Sequence, residues 1–181
     1  MPTSDPPPDA AAPVAQSRRL LLPILLLAAG VVVVDQLSKW WAESTLDPDA
    51  GVPVIGEFIQ WRLHYNPGAA FGLAAEFTPV LTAVAAVAVV ALVVFATRVA
   101  TVSWAIGIAA LLGGATSHLG DRLLRDPGFA HGHVVDFIDY NGWFIGNVAD
   151  IALVCGAAYL VLLNLLGIEP TPTSGQSPDA R

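Results

Sequence analysis

The run LTAVAAVAVVALVVFA, residues 81–96, is apolar around the whole circumference of a helix, and it restricts the possible folds more than any other feature of the chain. A surface helix of a globular protein keeps a polar face, whereas a helix without one must meet lipid or other helices on every side. Three more stretches share this character, so apolar spans are expected at about residues 20–42, 78–97, 100–119 and 145–166. Each is near the roughly 20 residues that a helix needs to cross about 30 Å of hydrocarbon. Composition agrees: 55% of the 181 residues are hydrophobic and 13% are charged, against about 25% charged in ordinary soluble domains. The expected class is therefore a mainly α, polytopic membrane protein with four transmembrane helices. Arg18 and Arg19 before LLLPILLLAAG also fit a signal peptide, but the apolar run continues through VVVV and three later spans need a first insertion element.

The chain divides into a Pro-, Ala- and Asp-rich tail at residues 1–18, a membrane domain at 19–167 and a second polar tail at 168–181. Neither tail has the apolar content to offset its ordering entropy, so both are expected to be disordered. Four crossings put both tails on one side. Arg18, Arg19 and Arg98 favour the cytoplasm for that side, and Arg62, Arg122 and Arg125 on the other side weaken the charge signal. Two segments lie outside the membrane on the outer face. Residues 43–77 include an alternating stretch, 58–65, that suits a short strand pair on the bilayer surface, and residues 120–144 carry most of the polar chemistry. A net charge of −7 without any basic cluster excludes a nucleic-acid partner. The single cysteine, Cys155, excludes an intramolecular disulfide, and its apolar neighbours place it as a buried helix residue.

Charges at a membrane span are costly unless paired, so each marks a candidate site. Asp35 and Lys39 in VVVVDQLSKWW are one turn apart with the acid first, the better order for a helical ion pair, and Trp40 and Trp41 mark the interface beside them. Asp121 and Arg122 are adjacent on a helix and do not face each other, so each needs another partner. Asp150 is placed about 7 Å inside the fourth span by helix rise, with Asn147 on the same helical face. Asp136 precedes that helix, and a fold-back from Gly132 would bring Asp136 and Asp150 face to face. Two carboxyls that close share one proton, so that one acts as base on a water while the other donates to a carbonyl.

Several alternatives stand beside this reading. His131 and His133 with Asp136 have the spacing of an incomplete metal site. Ser117 and His118 point about 100° apart on a helix, which a nucleophile and its base cannot do. Asp139 is expected to be solvated or a local hydrogen-bond partner. A small proton-coupled transporter would also carry intramembrane acids, though near the bilayer midplane, and a non-enzymatic scaffold would use them structurally.

The ordered motifs DQLSK (residues 35–39), NPGAAFG (66–72), GGATSHLGDR (113–122), HVVDFID (133–139) and NVAD (147–150) resemble those of bacterial lipoprotein signal peptidase, signal peptidase II, over residues 20–166. The resemblance implies an aspartic endopeptidase of the bacterial inner membrane, with four transmembrane helices and a small β element on the extracytoplasmic face. It implies prolipoprotein substrates, cut just before a cysteine that carries a diacylglyceryl group, inhibition by the cyclic peptide globomycin, and no cofactor. Carried over by motif, the catalytic pair is Asp136 and Asp150. The substrate-binding or supporting positions are Asp35, Lys39, Asn66, Gly68, His118, Asp121, Arg122 and Asn147. Two departures stand out: His118 replaces the usual Asn four residues before the Arg of the third motif, and Gly146 replaces the usual Phe before Asn147, removing an aromatic contact.

Overall fold

The apolar runs become four helices, α1 (Ala11–Thr45), α2 (Thr78–Ala96), α3 (Val102–Leu124) and α4 (Val148–Leu165), in a computed structural model that describes residues 11–68 and 75–171. All four are long and apolar enough to cross a membrane, α1 counted from Arg19. The first helix starts inside the stretch expected as a tail, and residues 1–10 and 172–181 of the two expected tails lie outside the described residues. Residues 168–170 run back against the α2–α3 connection, where Trp104 Nε1 donates to the Ile168 carbonyl (2.7 Å) and Ala100 N to the Pro170 carbonyl (2.8 Å).

The central helix is α3, which packs against the other three. Its glycines allow close approach on two sides: a Cβ at Gly113 would lie 2.6 Å from Val31 Cβ on α1, and one at Gly114 would lie 2.8 Å from the Ala149 carbonyl on α4. Small residues serve this purpose in membranes, where dispersion rather than water exclusion holds helices together. The buried cluster at this contact joins Ile24 and Ala28 of α1, Ala96 of α2, and Ala105, Ile108, Ala109 and Leu112 of α3. Outward residues such as Val84, Val87 and Val90 on α2 are exposed, as expected of side chains that meet lipid.

At one end of the bundle lies a four-stranded antiparallel sheet, β1 (Val52–Ile55), β2 (Ile59–Asn66), β3 (Val134–Asp139) and β4 (Ile145–Gly146), in that order. The expected strand pair is present as β1 and β2, but β2 also pairs with β3, with Tyr65 opposite Val135 and Asn66 opposite Val134. The turn from β3 to β4 passes through Asn141 and Gly142, both at positive φ (57° and 74°), which is what an Asn-Gly pair accommodates with least strain. Leu63, Val135, Phe137 and Ile138 pack with Ala42 at the end of α1, and the rings of Trp41, Trp61 and Phe137 lie 5.6–6.1 Å apart. All six residues of β3 are buried. The fourth span is three residues shorter at its start than the sequence pattern indicated, because residues 145–146 form β4 and Asn147 caps the helix.

Candidate active site

The beginning of α4 is built around one reciprocal cap. Asn147 is extended (φ −141°, ψ −174°), its Oδ1 accepts from Asp150 N (3.0 Å), and Asp150 Oδ2 accepts from Asn147 N (3.0 Å). This capping box satisfies two of the amide hydrogens that every helix start leaves over. Ala149 N donates to Asp35 Oδ1 (2.8 Å), so two carboxylates sit where the helix dipole favours negative charge. Asp150 thus belongs to the first turn rather than lying one turn deeper, a correction that follows from the later helix start. Its second oxygen, Oδ1, lies 3.4 Å from His118 Nε2.

Asp136 arrives from β3. Its Oδ1 accepts from Asn147 Nδ2 (2.6 Å) and its Oδ2 from Asn66 Nδ2 (3.0 Å), and the residue is buried. Burial first, then the negative charge of Asp150, pushes its carboxyl up to about 7. Asn147 therefore touches both acids, capping one with its oxygen and holding the other with its nitrogen. Asn66 Oδ1 accepts from Gly68 N (2.9 Å), and Arg122 donates to the carbonyls of Pro67 (3.1 Å) and Gly68. These bonds fix the first part of NPGAAFG at the rim, and residues 69–74 lie outside the described residues. Asp136, Asp150, His118, Arg122, Asn66, Gly68, Val134 and Phe144 line a cavity of about 50 Å³, several times the roughly 10–15 Å³ that one water requires.

Beside this cleft the remaining charges pair off. Lys39 Nζ lies 2.6 Å from Asp35 Oδ2 and 2.7 Å from Asp121 Oδ2, with both Asp35 and Lys39 fully buried. Ser117 Oγ donates to Asp35 Oδ2 (2.6 Å) and Gln36 Nε2 to Asp121 Oδ1 (2.8 Å). Arg125 bonds Asp121 (2.8 Å) and Glu43 (2.6 Å). Among the described residues, no buried side-chain nitrogen or oxygen lacks a hydrogen-bond partner.

The ten residues singled out from sequence thus fall into two adjoining groups. Asp136, Asp150, Asn147, Asn66, Gly68, His118 and Arg122 line or hold the cleft, while Asp35, Lys39 and Asp121 form the paired network beside it. Asp121 and Arg122 do not pair with each other, as their adjacency required. Asp139 is buried, bonded by Gly142 N (2.6 Å) and lying 3.4 Å from Arg62 Nε, so it is a local partner and not a solvated group. Cys155 is exposed on α4 and not buried. Gln36, Glu43, Ser117 and Arg125 were missed, although Arg125 follows Asp121 by four residues, the same signal that found Asp35 and Lys39. Phe144 was missed as well. A Cβ on Gly146 would lie 2.5 Å from Phe144 Cε1 and 2.9 Å from Asp150 Oδ2, so the Phe144 ring occupies the space over residue 146 and supplies an aromatic wall there.

Two acid side chains held by amides against a water-sized cavity, at the sheet end of four membrane helices, are the features of a polytopic membrane peptidase of the aspartic class. The profile of the Signal peptidase (SPase) II family matches residues 27–166, and the chain belongs to that family, a multi-pass protein of the bacterial membrane. It is 43% identical over 139 residues to the lipoprotein signal peptidase of Rhodococcus jostii (strain RHA1), covering 77% of this chain and 70% of that protein. It is 41% identical over 136 residues to the lipoprotein signal peptidase of Mycobacterium avium (strain 104), covering 75% of each. A bacterial membrane enzyme solved by the in meso method at 2.3 Å superposes with a TM-score of 0.73 at 28% identity, covering 86% of this chain and 94% of that one.

Proposed function

We propose that the chain removes the signal peptide from prolipoproteins by hydrolysing the bond just before a diacylglyceryl-modified cysteine, with Asp136 and Asp150 activating one water. The observation that carries this reading is the shared cavity: both carboxyl groups line it, Asn147 links them, and neither makes an ion pair with Lys or Arg among the described residues. Asp136, with its carboxyl near 7, holds the proton of the pair, and Asp150, receiving the Asn147 backbone hydrogen, carries the charge. Asp150 takes a proton from the water as the oxygen adds to the scissile carbonyl carbon, while Asp136 gives its proton to the carbonyl oxygen. The resulting gem-diol collapses as the C–N bond breaks. Asp150 then passes its proton to the leaving nitrogen, and a diol hydroxyl returns a proton to Asp136, leaving a carboxylic acid, an amine and the starting enzyme.

A diacylglyceryl substrate keeps its chains in lipid, so its scissile bond lies at the lipid boundary, and a cleft at the ends of α3 and α4 suits that depth. In the proposed topology both termini are cytoplasmic and the sheet and cleft are extracytoplasmic, with Arg19 and Arg98 near the opposite helix ends. The transporter alternative has no support, because the acids gather on a helix start at one end of the bundle. The test is cleavage by the purified full-length protein in detergent of a diacylglyceryl-modified prolipoprotein, with the unmodified precursor spared and globomycin inhibiting. A folded protein that cleaves neither precursor, or both equally, overturns the proposal.

A further inference from the structure

His118 brings a third titratable group to the cleft. Its Nε2 lies 3.3 Å from Asn147 Oδ1 and 3.4 Å from Asp150 Oδ1. The Asn147 amide is oriented from both ends, since its oxygen accepts from Asp150 N and its nitrogen donates to Asp136 Oδ1 and to the Val135 carbonyl. Both atoms facing Nε2 are therefore acceptors, and Nε2 must carry a hydrogen whether the ring is neutral or charged. A second proton enters at Nδ1 and places a full positive charge beside Asp150. It does not favour Asp136 equally, because the oxygens of Asp136 are occupied by the amide hydrogens of Asn66 and Asn147.

The other charged groups around the imidazole are already engaged. Asp35 and Lys39 on α1 pair with each other at 2.6 Å, Arg122 on α3 donates to the Pro67 and Gly68 carbonyls, and Asp136 on β3 is held by the two amides. Asp150 on α4 is the ionic partner that His118 contacts among the described residues. We propose that His118 is a positioning residue that donates to Asp150 and, as a cation, keeps the negative charge of the acid pair on Asp150, so that cleavage persists to lower pH than a neutral amide at this place permits. The inference rests on the proposed two-aspartate reaction.

The sign follows from the charge. Below the pH at which the ring protonates, the imidazolium opposes protonation of Asp150, and replacing it by an amide lets Asp150 take up a proton at higher pH. An opposite charge within about 4–6 Å is worth about 1–3 pH units on a carboxyl. The experiment measures kcat/KM of the full-length protein in detergent against pH for the wild type, His118→Asn and His118→Gln, using the diacylglyceryl prolipoprotein. In parallel, the four histidines are titrated by NMR through selectively labelled rings, in the wild type and in Asp150→Asn, with His118→Asn identifying the signal. The acid limb of both variants is expected to move up by about 1 pH unit or more, so the wild-type advantage grows about tenfold for each unit of acidification and is constant above neutrality. The His118 midpoint is expected to fall by about 1 unit in Asp150→Asn. A constant rate ratio at every pH, or a His118 midpoint indifferent to Asp150, overturns the inference and leaves the proposed hydrolysis standing. A wild type that cleaves at no pH overturns the hydrolysis instead, and the NMR titration then decides the proton linkage alone.

Discussion

Two pairs of buried aspartates lie side by side in this bundle, and their surroundings differ in kind. Asp35 and Asp121 share the Lys39 ammonium at 2.6 and 2.7 Å, and Arg125 adds a further cation to Asp121. Asp136 and Asp150 receive amide and backbone hydrogens and one imidazole, groups that orient a carboxyl without the fixed charge of Lys or Arg. An acid in an apolar chain is therefore not by itself a sign of chemistry; whether a permanent cation accompanies it separates support from reactivity. The two pairs are also joined, since the Asp35 oxygen that does not meet Lys39 accepts from Ala149 N, one residue before Asp150. The neutralised pair thus holds the helix start that presents the other.

This contrast predicts opposite consequences for substitutions of similar size. Asp136→Asn or Asp150→Asn is expected to lower turnover on the order of 10⁴-fold while the protein keeps its fold, measured by prolipoprotein cleavage and by thermal unfolding in detergent. Lys39→Met removes the cation between two buried carboxylates, and breaking such a pair from one side costs about 3–5 kcal/mol, measured by denaturant unfolding in detergent. A Lys39→Met protein as stable as the wild type would end the distinction between the two pairs.

Asp136 supplies a smaller, pH-dependent effect. With its carboxyl near 7, the protonated form that donates to the carbonyl disappears as pH rises, so kcat/KM is expected to fall about tenfold per unit above that value. Stability shifts with the same group. Between the ordinary carboxyl value of about 4 and about 7, the folded protein binds a proton that the unfolded chain has released. Stability therefore declines as pH rises through that window, and is unaffected by this group below and above it. Subtracting the unfolding profile of Asp136→Asn from that of the wild type isolates this slope, and its absence would place Asp136 among the neutralised acids.

How much of this was readable in the chain depends on distance along it. The four spans follow from uninterrupted apolar length, and Asp35 with Lys39 from a four-residue spacing. Asp121 with Arg125 carried the same spacing. Residues 145–146 read as helix because Ile145 is equally apolar in a strand, although Asn147 and Asp150, three apart, already marked the cap. The strand β3 escaped notice because HVVDFID does not alternate: with all six positions buried, neither face needed to be polar. Asn66 and Asp136 are 70 residues apart, and no local pattern reports such a contact; only the ordered motifs did. Cys155 shows the reverse failure, since apolar neighbours imply burial in water but not in lipid.

The smallest expected effect concerns a third acid with a cation, Asp139, and it tests whether pairing alone or pairing in isolation from water matters. Its partner Arg62 approaches to 3.4 Å, and the Arg62 side chain is 46% exposed, whereas Lys39 is fully enclosed. Water replaces a half-exposed guanidinium at little cost, and Gly142 N continues to donate to Asp139. Arg62→Ala is therefore expected to change stability by about 1 kcal/mol or less, against several for Lys39→Met, in the same denaturant experiment. Equal losses in the two variants would mean that any Asp–cation contact supports this fold, wherever it lies. Unequal losses in the expected order assign the difference to burial, and mark Asp35, Lys39 and Asp121 as the set whose charges cannot be separated without loosening the start of α4.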